Sequence, residues 1–362
     1  MSENKEALLS VKDLYVEYTS DKKIIHAVNG VSLDIYKGKT LGLVGETGAG
    51  KTTIAKSIIG ILPVPPAKLK SGEIIYEGQD LTKLSAKEMT HIQGEEISMI
   101  FQDPMTALNP TMTVGAQIAD GIALHDKLGK VESIKKAKHM LEMVGIPSER
   151  FTEYPHQFSG GMKQRVVIAI ALACNPQLIL ADEPTSALDV TIQAQVLELI
   201  KDLQQKQETS MLLITHDLGV VAQTCDDVAV IYAGEIVEYG DKFEIFDHPS
   251  HPYTLGLFGS LPNMVPKGEK RLHPIAGMMP NPASLPEGCK FHPRCPYATD
   301  ECAAAIPELA SIGGTHVCRC IHAGHLVKQD KNKEAAKVEA AEETVNDVVA
   351  EAVNEIPVEA VD

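Results

Sequence analysis

The sequence predicts an α/β fold: a mixed sheet with flanking helices, a helical subdomain, and a small cysteine-rich C-terminal extension. Three observations lead there. Short apolar runs at Thr40–Val44, 178–181 and Ser210–Thr215 have the composition of strands buried on both faces. Helical segments alternate with them, as in proteins that sheathe a sheet with helices. Past about residue 250 Pro and Gly rise, five of the seven cysteines crowd together, and regular periodicity fades.

Each element follows from its own stretch. Residues 8–43 read as short β-runs, with 14–16 and 31–35 separated by a polar turn over 19–23. The strand Thr40–Val44 runs straight into Gly45-Glu46-Thr47-Gly48-Ala49-Gly50-Lys51-Thr52. A helix over 53–62 follows and stops before Pro63, Pro65 and Pro66. Residues 85–160 are helix-rich and polar. Ser159 opens a helix over 161–173, the strand 178–181 follows, Val190–Gln207 is amphipathic, and Ser210–Thr215 is again strand. The expected organisation is a main domain over 1–250 containing the helical subdomain, an extension over 251–328, and a tail over 329–362. Ten acidic residues and three lysines within 330–362 give that tail the composition of a disordered, dispensable segment.

Composition narrows the function classes. The 362 residues carry a net charge of −16, no Trp and 4 % aromatics. That is unfavourable for a nucleic-acid partner, which rewards cationic grooves and aromatic platforms. Residues 1–12 lack the apolar core of a signal peptide, and no apolar run approaches the ~20 residues of a membrane span. A cytosolic protein is expected, with thiols rather than disulfides.

Two motifs carry chemistry directly. The first, G-x-x-x-x-G-K-T at Gly45 to Thr52, sits between strand and helix, the context a phosphate loop requires. Its glycines let backbone N–H groups wrap phosphates, Lys51 reaches the β- and γ-phosphates, and the Thr52 hydroxyl holds Mg²⁺. In the second, an apolar strand delivers Asp182 and Glu183 to its C-terminal end, where open α/β sheets bind ligands. Asp182 suits Mg²⁺ through water, and Glu183 is placed to orient and deprotonate an attacking water. ATP and Mg²⁺ are the expected cofactors.

The run Phe158-Ser159-Gly160-Gly161-Met162-Lys163-Gln164-Arg165 resembles the signature of ATP-binding cassettes, the ABC family, with Met162 in place of the commoner Gln. The resemblance implies an ABC-type phosphate-loop nucleotide-binding domain acting as an ATPase in a head-to-tail dimer. Each ATP then lies between one subunit's phosphate loop, through Thr53, and Ser159, Gly160 and Gly161 of the other. It further implies that Gln102 senses Mg²⁺ and the lytic water, that Asp189 lies in the loop crossing the dimer interface, that His216 contacts the γ-phosphate, and that Tyr18 stacks on adenine.

Three further runs resemble the oligopeptide/dipeptide (peptide/nickel) importer branch: 101–110, His251-Pro252-Tyr253-Thr254 with Ser260-Leu261-Pro262, and Cys289-Lys-Phe-His-Pro-Arg-Cys295-Pro. That branch implies a peptide importer. The partners it implies are a second related ATPase, two integral membrane permeases, and indirectly an extracytoplasmic peptide-binding protein. The chain would then lie peripherally on the cytoplasmic face of the membrane. Soluble cassette proteins of ribosomes or DNA usually carry two cassettes or a long coiled coil, and neither is present. Glu183 and His216 argue against a hydrolysis-dead regulator. The spacing C-x5-C-x6-C-x17-C of Cys289, Cys295, Cys302 and Cys320 suits a [4Fe–4S] cluster. Zn²⁺ and plain reduced thiols are the alternatives, although the close C-x2-C pairs of structural zinc sites are absent. Cys318 competes with Cys320, and the branch pattern favours Cys320.

Overall fold

The structure, a computed structural model, describes residues 6–186, 188–260 and 274–323. The acidic tail lies outside the described residues. Two sheets form the core. The first is antiparallel, in the order β2-β1-β4-β5, from β1 (Ala7–Ser20), β2 (Lys23–Tyr36), β4 (Ala67–Tyr76) and β5 (Gln79–Asp80). The β1–β2 turn places Asp21 and Lys22 both at positive φ, the geometry that matches the twist of a tight hairpin.

The second sheet has eight strands, in the order β11-β12-β10-β9-β3-β8-β7-β6. Its parallel part contains β3 (Thr40–Val44), β6 (Ile97–Ile100), β7 (Leu178–Asp182), β8 (Ser210–Thr215) and β9 (Asp227–Tyr232). Three antiparallel strands complete it: β10 (Glu235–Asp241), β11 (Ala310–Gly313) and β12 (His316–Cys318). The predicted strands over 40–44 and 210–215 match their observed bounds.

Alternation sorts the parallel strands between two cores. Leu41, Leu43, Leu178, Leu180, Leu212 and Ile214 face the antiparallel sheet and Ile54 and Ile58 of helix α1 (Lys51–Ile58). Ile179, Ala181, Met211, Leu213 and Val230 face the opposite core. That core holds Val166 and Ile168 of the helix Gly160–Leu172 and Ile200 of the helix Val190–Gln207. Both faces are covered, which explains why these strands read as unbroken apolar runs.

Within 85–160 the helices Val114–His125 and Lys130–Met143 pack together, while β6, N-terminal to both, leaves this stretch and joins the sheet edge. The C-terminal extension is not a loose appendage. Its β11–β12 hairpin pairs with β10, fixed by Glu238. The fully buried Glu238 carboxylate accepts from the backbone N–H of Ser250 and of His251, and lies 2.7 Å from His316 Nε2. The extension also wedges Tyr253 and Phe291 against Tyr232 at the end of β9, in an aromatic cluster with ring centroids 4.7–5.5 Å apart.

Candidate nucleotide site

Chain order and spatial order differ in the parallel sheet. From β3 the chain runs to the far edge at β6, returns through β7 and β8, then crosses to β9. The C-terminal ends of β3, β8, β7 and β6 are therefore neighbours, and a crevice forms where such windings reverse. Those ends carry, in spatial order, the phosphate loop, His216, the Asp182–Glu183 pair and Gln102.

The phosphate loop needs its glycines for close packing. Gly50, at φ 105°, caps α1, and a Cβ there would strike the Ala27 carbonyl. A Cβ on Gly45 would strike the carbonyl of Ile231. Lys51 is buried and donates to the Gly45 and Glu46 carbonyls at 2.6 and 3.0 Å, curling back over the loop. Burial pushes its pKa down, opposed by Glu183, Asp182 and Glu46. Thr52 Oγ1 donates to Asp182 Oδ1 at 3.1 Å, which brings two of the three expected Mg²⁺ residues together. Burial also raises the Asp182 pKa, against the Thr52 hydrogen bond. A cation beside this buried carboxylate would relieve the cost of its charge. Tyr18 reaches the same helix, with its hydroxyl 3.4 Å from Thr53 Oγ1.

Glu183 joins the strand ends. Gln102 Nε2 donates to its Oε2 at 2.9 Å, and His216 Nδ1 lies 3.3 Å from its Oε1. The residue sits at φ 45°, a left-handed conformation that costs a non-glycine residue about 1–2 kcal/mol. It is held there by its N–H to Ile214 O at 2.8 Å and by Ser186 N–H on its carbonyl. Its carboxylate thereby has one donor on Oε2 and an imidazole at Oε1, an arrangement able to orient a water and take its proton.

The signature lies elsewhere. Ser159 caps the helix Gly160–Leu172, and Asp189 caps Val190–Gln207. Ser159, Gly160, Gly161 and Asp189 line one cavity of about 590 Å³. Among the described residues no hydrogen bond ties Ser159–Gly161 to the phosphate loop, and their cavity is lined by no phosphate-loop residue.

Sequence reasoning assigned no role to two residues that touch the phosphate loop. Arg294 makes a two-pronged ion pair with Glu46, at 2.9 and 3.1 Å. The Tyr253 hydroxyl accepts from the Glu46 backbone N–H at 2.9 Å. Both had appeared only inside family-like runs, with no local pattern to mark their reach.

Cys289, Cys295, Cys302 and Cys320 line one small cavity with Phe291 and His322. Backbone N–H groups of Phe291 and His292 point to the Cys289 sulfur, that of Tyr297 to Cys295, and that of His322 to Cys320. Burial raises all three thiol pKa values, to about 11 for Cys295 and Cys320. Cys318 is not among the residues that line this cavity; it lies on β12 opposite Glu238, and burial pushes its thiol far up. Among the described residues no three His, Cys, Asp or Glu side chains come together to hold a single metal ion. None of the described helices is long and apolar enough to cross a membrane.

Comparisons with known proteins agree with this geometry. Residues 28–186 match the ABC transporter family, and 237–302 match the oligopeptide/dipeptide transporter C-terminal region. The dipeptide transport ATP-binding protein DppD of Bacillus subtilis is 51 % identical over 87 % of this chain and 94 % of its own. DppD of Escherichia coli K12 is 44 % identical over 87 % of this chain and 96 % of its own. Among solved structures, the dimeric ATP-binding cassette MJ0796 bound to ADP and phosphate superposes with a TM-score of 0.59 at 28 % identity. It covers 64 % of this chain and 98 % of the cassette. A phosphate loop, a carboxylate pair, a signature and a matching C-terminal region in one chain leave one assignment: it belongs to the ATP-binding subunits of ABC transporters, in the branch that includes the dipeptide and oligopeptide transport proteins.

Proposed function

We propose that this ATPase drives peptide import through two membrane permeases, seated peripherally on the cytoplasmic face and paired with a second, related ATP-binding subunit. An extracytoplasmic binding protein would deliver the peptide. The observation that carries the reading is the convergence of Lys51, Thr52, Asp182, Glu183, Gln102 and His216 at four adjacent strand ends. The separation of the signature from the phosphate loop supports a dimer, since a second cassette's signature would complete the site. The peptide assignment rests on the relatives and on the matching C-terminal region.

In this reading Tyr18 stacks on adenine, while Gly45 to Thr53 wrap the phosphates with backbone N–H groups and Lys51. Thr52, Asp182 and Gln102 would hold Mg²⁺, which would supply positive charge to offset that of the phosphates. Glu183 accepts the proton of the attacking water, oriented by Gln102. His216 donates to the γ-phosphate, and Ser159, Gly160, Gly161 and Asp189 serve the partner's ATP. Residues 1–250 form the motor domain and 251–328 its extension. Co-expression with the permeases and a second ATP-binding subunit tests this. A complex that purifies intact and hydrolyses ATP faster with peptide-loaded binding protein supports it. A fully active complex with two copies of this chain alone refutes the heterodimer.

Cys289, Cys295, Cys302 and Cys320 fit a structural [4Fe–4S] cluster: they surround one cavity, and three of them accept backbone N–H bonds suited to thiolates. The segment lacks the close C-x2-C pairs typical of structural zinc sites, which disfavours Zn²⁺ as the alternative. Brown, iron-containing protein from anaerobic purification supports the cluster. Colourless, iron-free protein refutes it.

A further inference from the structure

An acidic side chain inside a loop that binds polyphosphate is a liability, because its charge repels the ligand. Glu46 occupies such a position, and two residues more than two hundred positions away manage it. Arg294 meets both carboxylate oxygens, at 2.9 and 3.1 Å. Its side chain is 7 % exposed, against 29 % for Glu46. The guanidinium is itself held, donating through Nε to the Ala276 carbonyl at 3.0 Å and lying near the Tyr232 hydroxyl at 3.4 Å. A planar fork fixed on both sides meets a carboxylate in one geometry only. Tyr253, fully buried, takes the Glu46 backbone N–H at 2.9 Å and so fixes the Gly45–Glu46 peptide.

We propose that Arg294 and Tyr253 are positioning residues for ATP binding: they cancel the charge of Glu46 and set the phosphate loop's backbone, so that the C-terminal extension tunes the affinity of the loop for ATP. Arg294 immediately precedes Cys295, and its N–H donates to the Phe291 carbonyl, so it moves with the turn at 289–295. Coupling of this kind is reciprocal. ATP bound at the loop steadies the turn as much as the turn steadies the loop.

The proposal rests on ATP occupying the phosphate loop, and the test separates the two. Equilibrium binding of a fluorescent ATP analogue is measured on the full-length chain for wild type, Lys51→Ala, Arg294→Met, Glu46→Gln, Tyr253→Phe and the Arg294→Met/Glu46→Gln double variant. Arg294→Met should weaken binding about tenfold, in the range of coupling between contacting charged residues. In the Glu46→Gln background the same change should cost at most about twofold, because there is no longer a carboxylate to neutralise. Tyr253→Phe should weaken binding about threefold. Amide exchange over 289–296 should slow on adding ATP in wild type and not in Arg294→Met. An equal loss from Arg294→Met in both Glu46 backgrounds overturns the proposal, as does unchanged ATP affinity or ATP-insensitive exchange in wild type. Unchanged affinity in Lys51→Ala would instead remove the ATP site itself, and the proposal with it.

Discussion

Glu183→Gln separates binding from chemistry. The substitution keeps side-chain length and shape and leaves the left-handed backbone at φ 45° with the same cost, so stability should hardly change. The hydrogen bonds restrict the new amide. Its oxygen must face Gln102 Nε2, at the 2.9 Å contact, because an amide NH₂ there would set donor against donor. Its NH₂ then faces His216 Nδ1, at the 3.3 Å contact, leaving Nε2 of the ring as donor. Both neighbours stay satisfied, and the only thing lost is a carboxylate able to accept a proton. Loss of a general base costs about 10²–10⁴ in rate, or roughly 3–5 kcal/mol on the barrier. In the assembled transporter, steady-state phosphate release should fall by that factor while ATP affinity stays within about twofold. A turnover within a few-fold of wild type would refute the role of Glu183. A matching loss of ATP affinity would move its role from chemistry to binding.

Other outcomes follow from the same geometry. Because burial raises the Asp182 pKa, the folded state keeps that proton to higher pH than the unfolded chain. The carboxylate therefore costs stability that grows as pH rises from ~4 toward neutrality. Asp182→Asn should raise the melting temperature at pH 7, with a gain that shrinks toward pH ~4, and should lose the extra stabilisation that Mg²⁺ with ATP gives wild type. A gain that grows toward acid in thermal scans would contradict this. Glu238→Ala strips the partner from two buried N–H groups and His316 and should cost about 3–5 kcal/mol in urea unfolding; a loss below ~1 kcal/mol would show the hairpin is held by other contacts. Cys320→Ser should abolish iron binding in anaerobic preparations while Cys318→Ser retains it, and the reverse result would exchange their places.

What sequence reasoning reached was local. A strand buried on both faces must be apolar throughout, so β3, β7 and β8 declared themselves, and with them the sites at their C-terminal ends. The phosphate loop and the Asp182–Glu183 pair were legible because strand, turn and helix carry their chemistry within a dozen residues. Several strands were not legible, β4 and β6 among them. β4 exposes Lys68 and Glu73 and so lacks a continuous apolar run. β6 has four residues set among helices. What tertiary structure decided was pairing at a distance. The order β3-β8-β7-β6 brings Gln102, Glu183 and His216 into contact across 81 and 33 residues of chain. The Arg294–Glu46 pair spans 248 residues. No periodicity encodes such a partner, because a charged side chain shows no preference in sequence for the residue it will meet in space. Only the docking of the Tyr253–Phe291 cluster onto Tyr232 brings that arginine to the loop. For Cys318 and Cys320, only the resemblance to the branch pattern had favoured Cys320. In the structure Cys318 lies within β12 opposite Glu238, whereas Cys320, past the end of that strand, lines the cavity shared with Cys289, Cys295 and Cys302.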